Sequence, residues 1–248
     1  MLRNLQPLAS YHLGAKDGAF GKVREFYFDD QHWTIRYLVA AVDGWLAGKQ
    51  VLISPFAVEQ IDEPFKVVHL RLTKQQIENS PPIETDQPIS RQFEAKYYQY
   101  YGWPMYWYGP SLWGPGPYPI FDGSIPDPST NRDDHPANPH LRSTGEVLKY
   151  RIHATDGDIG HVEDYIIDDE SWSIRYFEVD TRNWLPGKKV LIPTSAIQNV
   201  SWENAKVFVD LTRHAIKDAP QYHPGEAIKP GYEKQLQDHL AREAHVTA

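Results

Sequence analysis

The chain contains no cysteine in 248 residues, which excludes disulfides, thiolate catalysis and cysteine-type zinc sites. That absence fits a reducing compartment, and the expected location is the cytoplasm. Concentrated positive charge is missing as well. The formal net charge is −8 and the longest pure basic run is Lys188–Lys189. A surface that neutralises phosphates needs clustered lysine and arginine, so nucleic acid is not an expected partner. No window approaches the roughly 18 apolar residues of a spanning helix. The first residues, MLRNLQPLAS, lack the apolar core of a signal peptide. The expectation is a soluble protein whose membrane contact, if any, is peripheral.

Catalytic and ligand-binding frames are also scarce. GxGxxG, GxxxxGK[ST], HExxH, GxSxG and SxxK do not occur. Ser54 and Ser195 are not equivalent across the repeat described below, so neither reads as a nucleophile. Asp156-Gly157-Asp158 lacks the later ligands of a calcium loop and reads as a turn. Asp133-Asp134-His135 with His140 lies in a Pro/Asn-rich stretch and reads as solvated linker. The acid pairs Asp29-Asp30 and Asp168-Asp169 read as turn formers. No catalytic residue, cofactor or metal is expected, and the chain is not expected to be an enzyme.

What the chain does have is a repeat. Tyr11–Lys74 aligns with Tyr150–Arg213 at a constant shift of 139 residues without a gap. KDGAFGKVREFYFDDQHWTIRYLV matches TDGDIGHVEDYIIDDESWSIRYFE, and GWLAGKQVLISPFAV matches NWLPGKKVLIPTSAI. Each copy is rich in short aromatic and β-branched runs bounded by turn residues, which predicts strands. Asp17-Gly18 and Asp156-Gly157 predict tight turns. Period-two alternation puts Trp33, Ile35, Tyr37 and Val39 on one face of a strand. Arg36 and Arg175, mid-strand, are expected to pair with acidic neighbours, and Thr73 and Thr212 to cap short helices. The predicted fold class is all-β: two small barrels from an internal duplication, with short helices after each. The divisions are 1–78, first barrel; 79–140, linker; 141–220, second barrel; and 221–248, a tail. Tyr232, Leu236 and Leu240 predict a short helix in that tail, docked or frayed.

The carrying motifs are DGxxGxV (Asp17–Val23, Asp156–Val162), the DD corner, and Trp45–Leu52 with its partner Trp184–Leu191. Together they resemble the PRC-barrel family, the barrel of the photosynthetic reaction-centre H subunit. The resemblance implies a non-enzymatic docking or scaffold module that acts by protein–protein contact. Its alternatives are a peripheral reaction-centre accessory in the light reaction, or an adaptor like the ribosome-maturation factors that share a related barrel.

The linker carries the strangest stretch. Tyr97–Pro119 (YYQYYGWPMYWYGPSLWGPGPYP) holds ten aromatic residues, five prolines, four glycines and no charge. Its prolines argue against regular structure, and its rings are too apolar to be left in water. Four readings stay open: wrapping its own barrels, exchange within a homo-oligomer, binding a partner protein or membrane interface, and stacking on sugars or single strands. Trp45 and Trp184, in hairpin-like loops, read either as lids folded over the barrel ends or as exposed docking residues; the interaction candidates are these two with Tyr101, Trp103, Tyr106, Trp107 and Trp113 from the linker.

Overall fold

The computed structural model describes residues 1–42, 50–81, 89–120, 140–181 and 188–246. The chain forms two compact units. The N-terminal unit comprises Pro7–Thr144 with Glu170–Trp172, and the C-terminal unit Met1–Gln6, Gly145–Asp169 and Ser173–Ala248. Strands account for 41% of the described residues, so the all-β expectation holds at the level of a strand-rich fold.

In the N-terminal unit the strands are β2 (His12–Ala15), β3 (Gly18–Asp29), β4 (Thr34–Val42), β5 (Gln50–Ile53), β6 (Val58–Asp62), β7 (Val67–Leu70) and β8 (Leu141–Ser143). They lie in the order β5-β4-β3-β2-β7-β6, and β8 pairs with the far end of β3. Only β2 and β7 run parallel among these described ladders. In the C-terminal unit the strands are β1 (Leu2–Asn4), β9 (Arg151–Ala154), β10 (Gly157–Asp168), β11 (Ser173–Asp180), β12 (Lys189–Pro193), β13 (Ile197–Ser201) and β14 (Lys206–Val209). Their order is the same, β12-β11-β10-β9-β14-β13, with β1 against β10. A closed barrel was expected, but neither path closes among the described residues. Between β5 and β6 the chain passes through the 3-10 turn Pro55–Ala57, capped by Ser54, and the ladder is not continued there. Pro55 has no N–H to give it.

The motif DGxxG has two physical jobs. Gly18 and Gly157 sit at φ 128° and 130°, a region closed to side chains. Gly21 and Gly160 allow close strand approach: a Cβ there would lie 2.2 Å from Ala41 O and 2.3 Å from Asp180 O. Trp33 departs from its expected place. It precedes β4 at φ 51°, as Trp172 precedes β11 at φ 58°, so both belong to left-handed turns rather than to the strand face. Nor does β4 alternate. Thr34–Ala40 are all buried because both faces of the strand are covered.

The helices are α1 (Lys74–Glu78), α2 (Arg91–Tyr101), α3 (Thr144–Val147), α4 (Arg213–Asp218) and α5 (Pro230–Val246). Thr73 forms a capping box with Gln76, and Thr212 Oγ1 accepts from Ala215 N at 3.1 Å, as their sequence positions suggested. The two long helices exceed the short ones expected. They are also 139 residues apart in register: Phe93, Glu94, Tyr97 and Tyr101 correspond to Tyr232, Glu233, Leu236 and Leu240. The start of the supposed linker is therefore the counterpart of the tail helix. Similarly Leu2-Arg3-Asn4 corresponds to Leu141-Arg142-Ser143, so the strand leading into each half completes the unit built mainly from the other half.

Candidate functional site: a buried glutamate under an aromatic cap

Helix α2 exists because no proline falls between Arg91 and Tyr101; the first is Pro104. Ser90 Oγ caps it by accepting from Phe93 N at 3.1 Å, and Gly102 ends it in the left-handed conformation at φ 68°. Five residues at the start of the aromatic block are thus helical, where disruption by proline was expected. Beyond Gly102 the chain turns back across the N-terminal unit through Trp103, Tyr106 and Trp113. These rings are 9%, 3% and 1% exposed. Phe56 stacks on Trp103 with centroids 5.8 Å apart and meets Trp113 edge-on at 5.3 Å.

Under this cap lies a network of polar groups. Glu94 is fully buried. Its Oε1 accepts from Tyr37 OH at 2.9 Å and Tyr106 OH at 2.7 Å, and its Oε2 meets Arg91 NH1 at 3.0 Å. Arg91 also donates to Tyr106 OH at 3.1 Å. Tyr97 OH donates to Leu52 O and accepts from Ser54 N, both at 3.0 Å, and Tyr98 OH lies 3.2 Å from Ser54 Oγ. The cap is tied down by hydroxyls as well as by apolar area.

Arg36 is the extra residue of a bulge in β4, since Tyr27 faces Tyr37 while Phe28 faces Ile35. Its guanidinium donates to Asp29 Oδ2 at 3.1 Å and to Leu112 O in the cap. It also lies over the Tyr106 ring at 3.9 Å and the Trp113 ring at 5.0 Å. Burial pushes the Asp29 carboxyl up, but Arg36, His32 and the Gln31 N–H outweigh it, and the net shift is downward. Burial, then the Glu94 charge, holds the Tyr37 and Tyr106 phenols well above their ordinary value. They therefore stay protonated and keep donating to Glu94. Burial also lowers Arg91, yet Glu94, Tyr106 and Tyr37 together outweigh it and the guanidinium is raised. Each acid faces a cation or a committed donor. The arrangement fastens a cap to a sheet.

The C-terminal unit repeats the central bond in weaker form. Tyr176, the counterpart of Tyr37, donates to Glu233 Oε1 at 2.8 Å, and its phenol is pushed up to about 12 by burial and then by that bond. A second polar cluster lies under β1. Asn4 Nδ2 donates to Asp164 Oδ2 at 2.8 Å and to Glu178 Oε2 at 2.9 Å, while Tyr222 OH donates to Asn4 Oδ1 at 2.6 Å. Burial pushes Asp164 up to about 6.

Of the residues singled out from sequence, Trp45 and Trp184 lie outside the described residues, as do Asp133, Asp134 and His135. Trp103, Tyr106 and Trp113 turn inward in the N-terminal unit, and Tyr101 and Trp107 are half-buried. Tyr101 stacks on Trp103 with centroids 4.4 Å apart. His140 sits 2.9 Å from Asp30, beside Arg142 at 2.7 Å from the same carboxylate. The acid pairs thus anchor incoming strands as well as forming turns; Asp169 receives Arg3 in the equivalent way. Of the expected arginine ion pairs, Arg36 makes one, whereas Arg175 is exposed. Glu94 and Arg91 were not anticipated. Their one sequence signal was the 139-residue spacing of Glu94 from Glu233.

No curated protein matches the chain in sequence. The family model of the PRC-barrel domain matches residues 152–215, from β9 into α4.

Proposed function

We propose that the chain is a non-enzymatic interaction protein. It is read as two PRC-type domains in tandem that dock a partner protein, with the aromatic cap of the N-terminal unit as the docking element. The observation that carries this is how the cap divides its rings. Trp103, Tyr106 and Trp113 are spent on the chain's own strands. Tyr100 and Tyr118, each 42% exposed, and Ile120, 69% exposed, face outward on the same segment, beside half-buried Tyr101 and Trp107. Rigidly held aromatic edges are the residue type favoured at binding hot spots. The acids and phenols beneath are committed to one another, which supports a structural role for them. Among the described residues, no helix is long and apolar enough to cross a membrane.

The test is a triple variant, Tyr100→Ala with Trp107→Ala and Tyr118→Ala, compared with the unaltered chain by cross-linking in the native host and by light scattering. The expected result is a protein that stays folded by circular dichroism, with loss of one set of cross-links to another protein. Cross-links that persist unchanged would sink the docking role. Cross-links solely between copies of this chain would assign the surface to self-association.

A further inference from the structure

We propose that the C-terminal unit carries a divalent transition-metal site formed by His161, Glu163 and Asp180. One ligand atom from each lies within 4.8 Å of the other two. The sequence reading did not bring these residues together, because the third arrives only through strand pairing: His161 on β10 faces Asp180 on β11. Glu163 is the extra residue of a bulge, with Val162 facing Val179 and Asp164 facing Glu178. Bulges re-aim side chains and recur beside functional sites.

The spacing suits a metal. His161 Nε2 and Glu163 Oε2 are 3.3 Å apart. Two ligands held about 2.1 Å from a tetrahedral zinc ion are separated by about 3.4 Å, so this pair already spans one edge of the polyhedron. Asp180, 1% exposed, offers the third ligand atom within the same 4.8 Å. One imidazole with two carboxylates suits zinc, manganese or cobalt better than calcium, which prefers an all-oxygen shell. Among the described residues, Lys189 is a nearby cation. Its Nζ is held by Glu178 at 2.6 Å and stands 3.6 Å from the other Glu163 oxygen, Oε1. It therefore fixes the Glu163 carboxylate and leaves Oε2 to His161.

The N-terminal unit provides an internal control. At the same strand positions it carries Lys22, Arg24 and Ala41, which offer no ligand. The fold therefore does not require His161, Glu163 or Asp180.

Calorimetry with Zn2+ and visible spectroscopy with Co2+ on the full chain test the site. The expected result is one equivalent bound, with the d–d bands of ligand-held cobalt. His161→Lys with Glu163→Arg, the pair the other unit tolerates, should abolish binding and leave the circular dichroism unchanged. His161→Gln alone, a milder variant, should weaken binding by more than the about 10–100-fold that loss of an outer-shell partner costs. His153→Ala removes a separate His–Asp pair, His153 with Asp158, and should change nothing. Absence of a one-to-one isotherm, undiminished binding by folded His161→Gln protein, or loss of binding in His153→Ala would each overturn the proposal.

Discussion

Arg36 and Arg175 occupy the same bulge, 139 residues apart, beside equivalent tyrosines that both donate to a helical glutamate. Yet Arg36 is 1% exposed and sealed under rings, whereas Arg175 is in solvent. The strand is the same; the cover differs. The chain paths diverge at the helix end. At the helix end the N-terminal unit has Gly102 and then Pro104, where the C-terminal unit has Ala241 and Glu243. Glycine stops α2 and returns the chain over its own sheet; alanine lets α5 continue to Val246. The segment that returns, with Tyr106 and Trp113, covers that hydrogen bond and Arg36 in the N-terminal unit.

The largest expected effect should break this comparison if it is wrong. Glu94→Ala strands Arg91 and two buried phenols, and should cost the N-terminal unit about 3–5 kcal/mol, the range for removing one partner of a buried ion pair. Glu233→Ala should cost about 1 kcal/mol, since water can replace the partly exposed acceptor. Denaturant melts read by hydrogen exchange in each unit measure both; equal losses would mean the cap adds nothing.

Next in size is a pH effect confined to the C-terminal unit. Asp164 binds its proton more tightly in the folded chain than at its ordinary value of 3.8, up to about 6. The folded state therefore holds the extra proton between those values, and stability falls as pH rises through that window. It levels off above about 6, after a loss of at most about 3 kcal/mol. Asp164→Asn should flatten the profile. A unit that gains stability over that interval with Asp164 intact would contradict the assignment. The counterpart of Asp164 is Glu25, which accepts from Ser143 Oγ just as Asp164 accepts from Asn4.

The smallest effect sharpens the contrast at the bulges. Arg175→Met should change stability by no more than about 0.5 kcal/mol, as exposed substitutions do. Arg36→Met should cost several times that, because Asp29 and Leu112 O lose a buried donor. Similar midpoints for the two variants would mean that burial of Arg36 carries no energetic weight.

Much of each unit was legible in the sequence. The turn glycines, the strand runs and the Thr73 and Thr212 caps depend on local geometry, and the repeat announced them twice. Helix α2 was obscured by the prolines that follow it, although Arg91–Tyr101 contains none and Glu94 stands 139 residues before Glu233. Trp33 was placed on a strand face by alternation, which cannot see a left-handed residue at the strand's entrance. The acids beneath the cap were not legible, because an isolated Glu or Arg looks solvated until a distant segment covers it.

The sequence by itself determined the duplicated order of elements, the places where backbone must turn or approach closely, and the point at which α2 ends. These follow from φ, Cβ sterics and capping, which act over a few residues. Only the tertiary structure decided which unit each leading strand completes, which rings face inward, and that His161, Glu163 and Asp180 meet. Those outcomes depend on pairing between residues far apart in the chain, where no local preference operates and burial selects the partner.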